Sequence, residues 1–144
     1  MKIKTVKYLT LIFGSLYLIY GMIESLSYFG REMTVIVSPT GDLFVGFVLL
    51  TISAIYLTGF KKALKNDFKA TSYLYAGSIL SIGLAILALL VIGAGAIEAY
   101  LLKSEDFIGW SPLDDVTSYL VLGLLSIFAY LSVKDVSKKP VKVQ

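Results

Sequence analysis

Four long apolar stretches, separated by short polar connections, account for most of this chain. Residues 8–29 carry Glu24 as their only charge, residues 43–60 carry none, residues 70–102 carry only Glu98, and residues 116–133 carry none. A helix that crosses a bilayer needs roughly 17 to 25 mainly apolar residues, so the pattern predicts spans at about 8–29, 39–60, 72–101 and 112–133. In lipid only helices and closed barrels satisfy their own backbone hydrogen bonds. Barrel strands alternate apolar and polar residues over about ten positions, and these stretches do not alternate. The expected fold class is an all-α membrane protein with four transmembrane helices. The basic start "MKIKTVK" followed by an apolar run is too long for a secretion signal and lacks an A-x-A site, so it reads as an uncleaved first span.

The pattern repeats. Gly21, Ile23 and Glu24 recur as Gly95, Ile97 and Glu98; Ser38, Pro39 and Asp42 recur as Ser111, Pro112 and Asp115; Val48, Leu49 and Ser53 recur as Val121, Leu122 and Ser126. Apolar matches are cheap in a membrane sequence, whereas the Gly-x-Ile-Glu and Ser-Pro-x-x-Asp pairs are specific. They predict a tandem duplication of a two-helix hairpin, residues 1–69 and then 70–144, the second ending in a short basic tail. Ser38 and Ser111 are expected as N-caps with Pro39 and Pro112 at the first helical position. Asp42, Asp114 and Asp115 would then lie in the first turn, where the helix dipole favours them.

Charge sets the orientation. Lys2, Lys4, Lys7, Lys61, Lys62, Lys65, Lys69, Lys134, Lys138, Lys139 and Lys142 fall at the ends and the central connection, against Arg31 and Lys103 on the other side. Basic residues flanking spans mark the cytoplasmic side, so both termini and the central loop are expected inside. A basic inner rim suits anionic lipid headgroups. No folded soluble face exists to carry a nucleic-acid site. The outer loops hold Val35, Ile36 and Val37, and then Phe107, Ile108 and Trp110, apolar pieces expected at the headgroup level.

Composition narrows the chemistry. The chain is 57% apolar and 16% charged, has no cysteine and no histidine, and its mean hydropathy is +0.81. Disulfides, thiolate nucleophiles, thiolate or imidazole metal sites and the ordinary haem ligands are thereby removed. No nucleophile elbow, zinc motif or phosphate-cradling loop is present, so neither a metal, a cofactor nor an enzymatic activity is expected. Asn66 and Gln144 are the only side-chain amides, a scarcity of thermolabile residues that points to a hyperthermophilic source.

The remaining candidates are the two carboxylates. An ionisable residue inside a span is costly and usually functional. Glu24 follows Tyr8 by 16 residues, about 24 Å along a helix, and so lies in the outer part of its span. It shares a helix face with Gly21, Tyr20 and Tyr17. Glu98 shares its face with Gly95, beside a stripe of small residues, Gly77, Ser81, Ala85, Ala88, Gly95 and Ala99, that predicts close helix packing. Three readings are open. The glutamates, with Tyr17 and Tyr20, form a paired proton or cation site; or each braces an outer loop; or they meet a partner subunit. The leading expectation is a small, non-catalytic, multi-pass protein of the cell membrane: a subunit, a scaffold or a self-assembling component whose partners are the lipid bilayer and further copies or other membrane subunits. The alternative is a small proton- or cation-coupled transporter or channel.

Overall fold

The computed structural model describes residues 2–30 and 39–137, with side chains described as far as Lys134. Ser38, Val35, Ile36 and Val37 lie outside the described residues. Helix α1 runs Ile3–Tyr28, α2 Leu43–Leu64, α3 Lys69–Ala96 and α4 Ser118–Ser137. A π-helical turn, Ile97–Leu101, prolongs α3, and a short 3₁₀ turn, Glu105–Phe107, lies in the connection to α4. Among the described residues three helices are long and apolar enough to cross a membrane: α1, α2, and α3 with its π-helical extension, 33 residues in all; the apolar part of α4, Ser118–Lys134, is shorter.

Each helix turns one narrow stripe inward. On α1 it is Val6, Thr10, Phe13, Gly14, Tyr17, Gly21 and Glu24; on α2 it is Gly46, Leu49, Ile52, Ser53, Tyr56, Gly59 and Ala63. The spacing of three and four residues is that of one face of a helix. Residues from all four helices meet in one core, with Val6, Tyr17, Leu49, Tyr56, Leu74, Leu122, Ala129 and Val133 buried together. Outward positions are almost uniformly apolar, from Ile12 and Ile19 on α1 to Phe128 and Leu131 on α4. This inversion suits a bundle solvated by hydrocarbon, where association depends on close packing and internal hydrogen bonds rather than on the hydrophobic effect.

The connection between α2 and α3 is tight. Asn66 adopts a left-handed backbone, φ 54°, which asparagine tolerates better than most residues. Asp67 N–H donates to the Lys62 carbonyl at 3.0 Å, and the Asp67 carboxylate accepts from Lys69 N–H at 2.9 Å.

The starts of α2 and α4 differ from the sequence expectation. α2 begins at Leu43, with Asp42 as its N-cap accepting from Phe44 N–H and Val45 N–H at 2.8 and 3.4 Å. Pro39 therefore lies four residues ahead of the helix, not at its first position. The cause is tertiary: Thr40 and Gly41 give their N–H groups to Glu24, and Gly41 has φ 66°, a conformation no helix continues. In the second half, Ser111 N–H donates to Asp114 and Leu113 N–H to the Ser111 hydroxyl. Ser111 and Pro112 thus form a separate turn, and α4 starts at Ser118. Asp114 and Asp115 precede the helix rather than occupying its first turn. Replacing Asp42 by alanine removes a working cap, and should cost about 1 kcal/mol in detergent unfolding. The same change at Asp114 should leave α4 untouched.

A buried carboxylate where two helices begin

Glu24 is wholly buried. One oxygen, Oε1, accepts from Thr40 N–H at 3.2 Å and from the Ser118 hydroxyl at 3.1 Å. The other, Oε2, accepts from the Thr40 hydroxyl at 2.9 Å and from Gly41 N–H at 3.0 Å. A carboxylate offers about four lone-pair positions, so the acceptor capacity is filled by the chain's own donors. Thr40 and Gly41 immediately precede the α2 cap, and Ser118 opens α4. Glu24 therefore ties α1 to the starts of both α2 and α4, where helix dipoles favour negative charge.

Glu98 has a different fate. It lies on the π-helical turn with its side chain exposed and without a hydrogen-bond partner among the described residues, while its backbone carbonyl accepts from Ser104 N–H at 3.1 Å. Glu24 is buried on its own donors and Glu98 is exposed, and no hydrogen bond among the described residues joins the two glutamates. Their shared context conceals a break in register: from Ile97 the hydrogen-bond spacing lengthens, so a step of three from Gly95 does not return Glu98 to the buried face.

The polar role in the second half passes to Asp115, which accepts from Trp110 Nε1 at 3.0 Å. Trp110 packs against Gly95, where a Cβ would lie 2.7 Å from the ring, and it meets Tyr100 and Phe107 edge-on at 6.2 Å each. An aromatic cluster closes this half where Glu24 closes the other.

The tyrosines predicted beside Glu24 make no hydrogen bond to it among the described residues. Tyr20 is half-buried and lines a small cleft between α1 and α4 with Leu16, Ser118 and Leu122. Tyr17 points into the core and joins a second polar centre, its hydroxyl 3.4 Å from Ser126 Oγ. The Tyr56 hydroxyl lies 3.4 Å from each of Ser78, Ser81 and Ser126 Oγ. Each serine donates its own proton to the carbonyl four residues earlier, Ser78 to Leu74 and Ser81 to Gly77 at 2.7 Å, and Ser126 to Leu122 at 3.0 Å. Only the two phenol protons remain for bonds between helices, which makes the cluster a polar clasp among four helices. A further bond, Ser53 hydroxyl to Gly14 carbonyl at 2.8 Å, joins α2 to α1. Sequence reading missed Tyr56, Ser53, Ser78, Ser118 and Ser126. The available signal was that each sits on its helix's inward stripe.

Of the small residues expected to pack, Gly77, Ser81, Ala85, Ala88 and Gly95 are buried on α3, and Ala99 is half-buried on the π-helical turn. Gly77 receives the Tyr56 ring, which a Cβ would meet at 2.9 Å. Among the described residues no cluster of acids is arranged to hold a metal ion.

A helical membrane bundle of this make-up has relatives. A family model described as the MJ0565 integral membrane domain matches residues 1–135. The chain belongs to the MJ0565 integral membrane family. It is 39% identical over 135 residues to the uncharacterised protein MJ0565 of Methanocaldococcus jannaschii, covering 90% of this chain and 89% of that protein. That relative comes from a thermophilic archaeon, in keeping with the scarcity of side-chain amides. No solved structure matches the chain. Membership in the family and three long apolar helices together make this an integral membrane protein.

Proposed function

We propose that this member of the MJ0565 family is a non-catalytic, multi-pass component of the cell membrane that assembles with further copies or other membrane subunits, its four helices crossing the bilayer with both termini inside. The observation that carries this reading is the state of Glu24: all of its acceptor positions are filled by Thr40, Gly41 and Ser118. A transport site must exchange partners with its ion, and here the partners are backbone and loop groups that hold two helix starts in place. Glu98, exposed on the π-helical turn, supplies no second carboxyl. The core centre around Tyr17 and Tyr56 likewise uses its protons internally.

The test is recovery of the chain from native membranes in a mild detergent, followed by mass analysis of the intact particle. The expected result is an assembly of more than one chain, and liposomes holding the purified protein are expected to show no proton or cation flux. A solitary monomer, or flux abolished by Glu24→Gln, would overturn the proposal.

A further inference from the structure

Helix packing gathers the lysines at one end of the bundle. A Cβ on Gly59 of α2 would meet Thr10 of α1 and Tyr73 of α3, and Tyr75 of α3 stacks on Tyr130 of α4 at 5.6 Å, so these positions lie side by side. The lysines just beyond them therefore share that end: Lys4 and Lys7 on α1, Lys134 on α4, and Lys61, Lys62, Lys65 and Lys69 around the α2–α3 turn. The turn is the densest part, with four lysines in nine residues.

Within the turn the charges divide. Asp67 is spent inside the chain, accepting from Lys69 N–H at 2.9 Å and lying 3.7 Å from Lys62 Nζ. Lys61, Lys65 and Lys69 are exposed and pair with no acid among the described residues. Between them stand two apolar side chains, Leu64 and Phe68, 51% and 80% exposed. A ring so bare among lysines suits neither water nor the bundle core, whereas basic residues flanking exposed apolar ones are the pattern of a segment lying at the headgroup–acyl boundary. Depth agrees. The 22 residues of α2 make a rod of about 33 Å at 1.5 Å per residue, close to the roughly 30 Å of a hydrocarbon core. With the Asp42 cap at one boundary, Leu64 reaches the other, and residues 65–69 fall at the level of the phosphates.

We infer that the α2–α3 turn is a binding site for the headgroup of an anionic phospholipid, with Lys61, Lys65 and Lys69 holding the phosphate and Phe68 entering the acyl boundary beside it. Lysine ammonium groups bind phosphate as point charges, and basic clusters immediately beside a span recruit anionic lipid. The turn is also braced: Asp67 N–H donates to the Lys62 carbonyl at 3.0 Å, and Asn66 is held at φ 54°. Ring and charges are thus presented together. The inference rests on α2 crossing the bilayer, as in the multi-pass reading, and is independent of assembly.

The test is intact mass analysis of protein taken in mild detergent from vesicles of equal phosphatidylglycerol and phosphatidylcholine. Wild-type protein is expected to retain phosphatidylglycerol in preference. Changing Lys61, Lys65 and Lys69 together to glutamine is expected to lower that preference about tenfold or more, since each lysine near an anionic surface contributes a factor of roughly five. Changing Lys4, Lys7 and Lys134 together removes the same charge from the same end of the bundle and is expected to lower it only slightly. Phe68→Ser keeps every charge and is expected to weaken retention. Equal losses from the two triple variants would show a diffuse basic rim instead of a site, and overturn the inference. So would a wild-type protein without preference, retention undiminished in Phe68→Ser, or phosphatidylglycerol displaced by millimolar inorganic phosphate, which would assign the lysines to a free anion. Wild-type protein released from the vesicles by a carbonate wash would instead remove the multi-pass reading on which the inference rests.

Discussion

Replacing Gly123 with leucine is expected to separate α3 from α4 and to be among the most damaging single changes in the bundle. A Cβ at this position would lie 2.5 Å from the Ala85 Cβ and 2.5 Å from the Ser81 carbonyl oxygen. Neither obstacle is the end of a flexible side chain. One is the first carbon of a buried alanine and the other is helix backbone, so relief requires the helices to move apart. That movement would pull Ser126, three residues along the same face, away from Tyr17 and Tyr56. Overfilling a packed core usually costs roughly 1–3 kcal/mol, occasionally more, and a rigid obstacle on both sides places Gly123→Leu at or above the top of that range. Alanine should already be felt. The measurement is unfolding in mixed micelles, followed by the fluorescence of Trp110, the single tryptophan, which packs against Gly95 of α3. Gly93→Ala is the control: nothing lies within 4 Å of its Cβ, and losing the backbone freedom of a helical glycine is expected to be neutral or to stabilise by about 0.5–1 kcal/mol. Equal effects at the two sites would show that glycine content, not the contact, matters there.

The helices were legible because lipid leaves the backbone few choices. Runs such as residues 43–60 have no charge to place in solvent, and a chain that must satisfy its own N–H and C=O groups folds them as helices. The ends were less legible, for a reason visible at Thr40 and Gly41. Ser-Pro-x-x-Asp is a sound local signal for a helix start, but the N–H groups that would enter the helix are drawn instead to a carboxylate 16 and 17 residues earlier. No local rule contains that partner.

The site was legible as a residue and not as a pair. Glu24 and Glu98 share their neighbours in sequence, and a helix of constant pitch would give them the same facing. The π-helical turn at Ile97–Leu101 breaks that equivalence. The Asp115–Trp110 bond then gives the second half a closure of its own. At this end of the bundle polar side chains select partners one by one, Glu24 through Thr40, Gly41 and Ser118, and Asp115 through Trp110. A single glutamate reaches both hairpins there, binding the α2 approach through Thr40 and Gly41 and the α4 start through Ser118.

Glu24→Ala tests that arrangement. The substitution leaves the buried hydroxyl of Ser118, and the partly buried N–H groups of Thr40 and Gly41 and hydroxyl of Thr40, without their acceptor. An orphaned buried donor costs roughly 1–3 kcal/mol. The Thr40 and Gly41 groups can turn to solvent, so the buried Ser118 hydroxyl carries most of the penalty and the expected net loss is about 1–3 kcal/mol. The loss should be local in origin. Hydrogen exchange is expected to accelerate first at the Thr40 and Gly41 amides and then at the start of α4, while amides around Tyr17 and Tyr56 stay protected until the bundle opens. Glu24→Gln keeps one carbonyl oxygen but turns an N–H₂ group toward donors, and should fall between alanine and wild type. Glu98→Ala, on the exposed π-helical turn, should change neither stability nor exchange. If Glu24→Ala and Glu98→Ala proved equally mild, the carboxylate would not be what holds the two helix starts, and the donors around it must have found another acceptor.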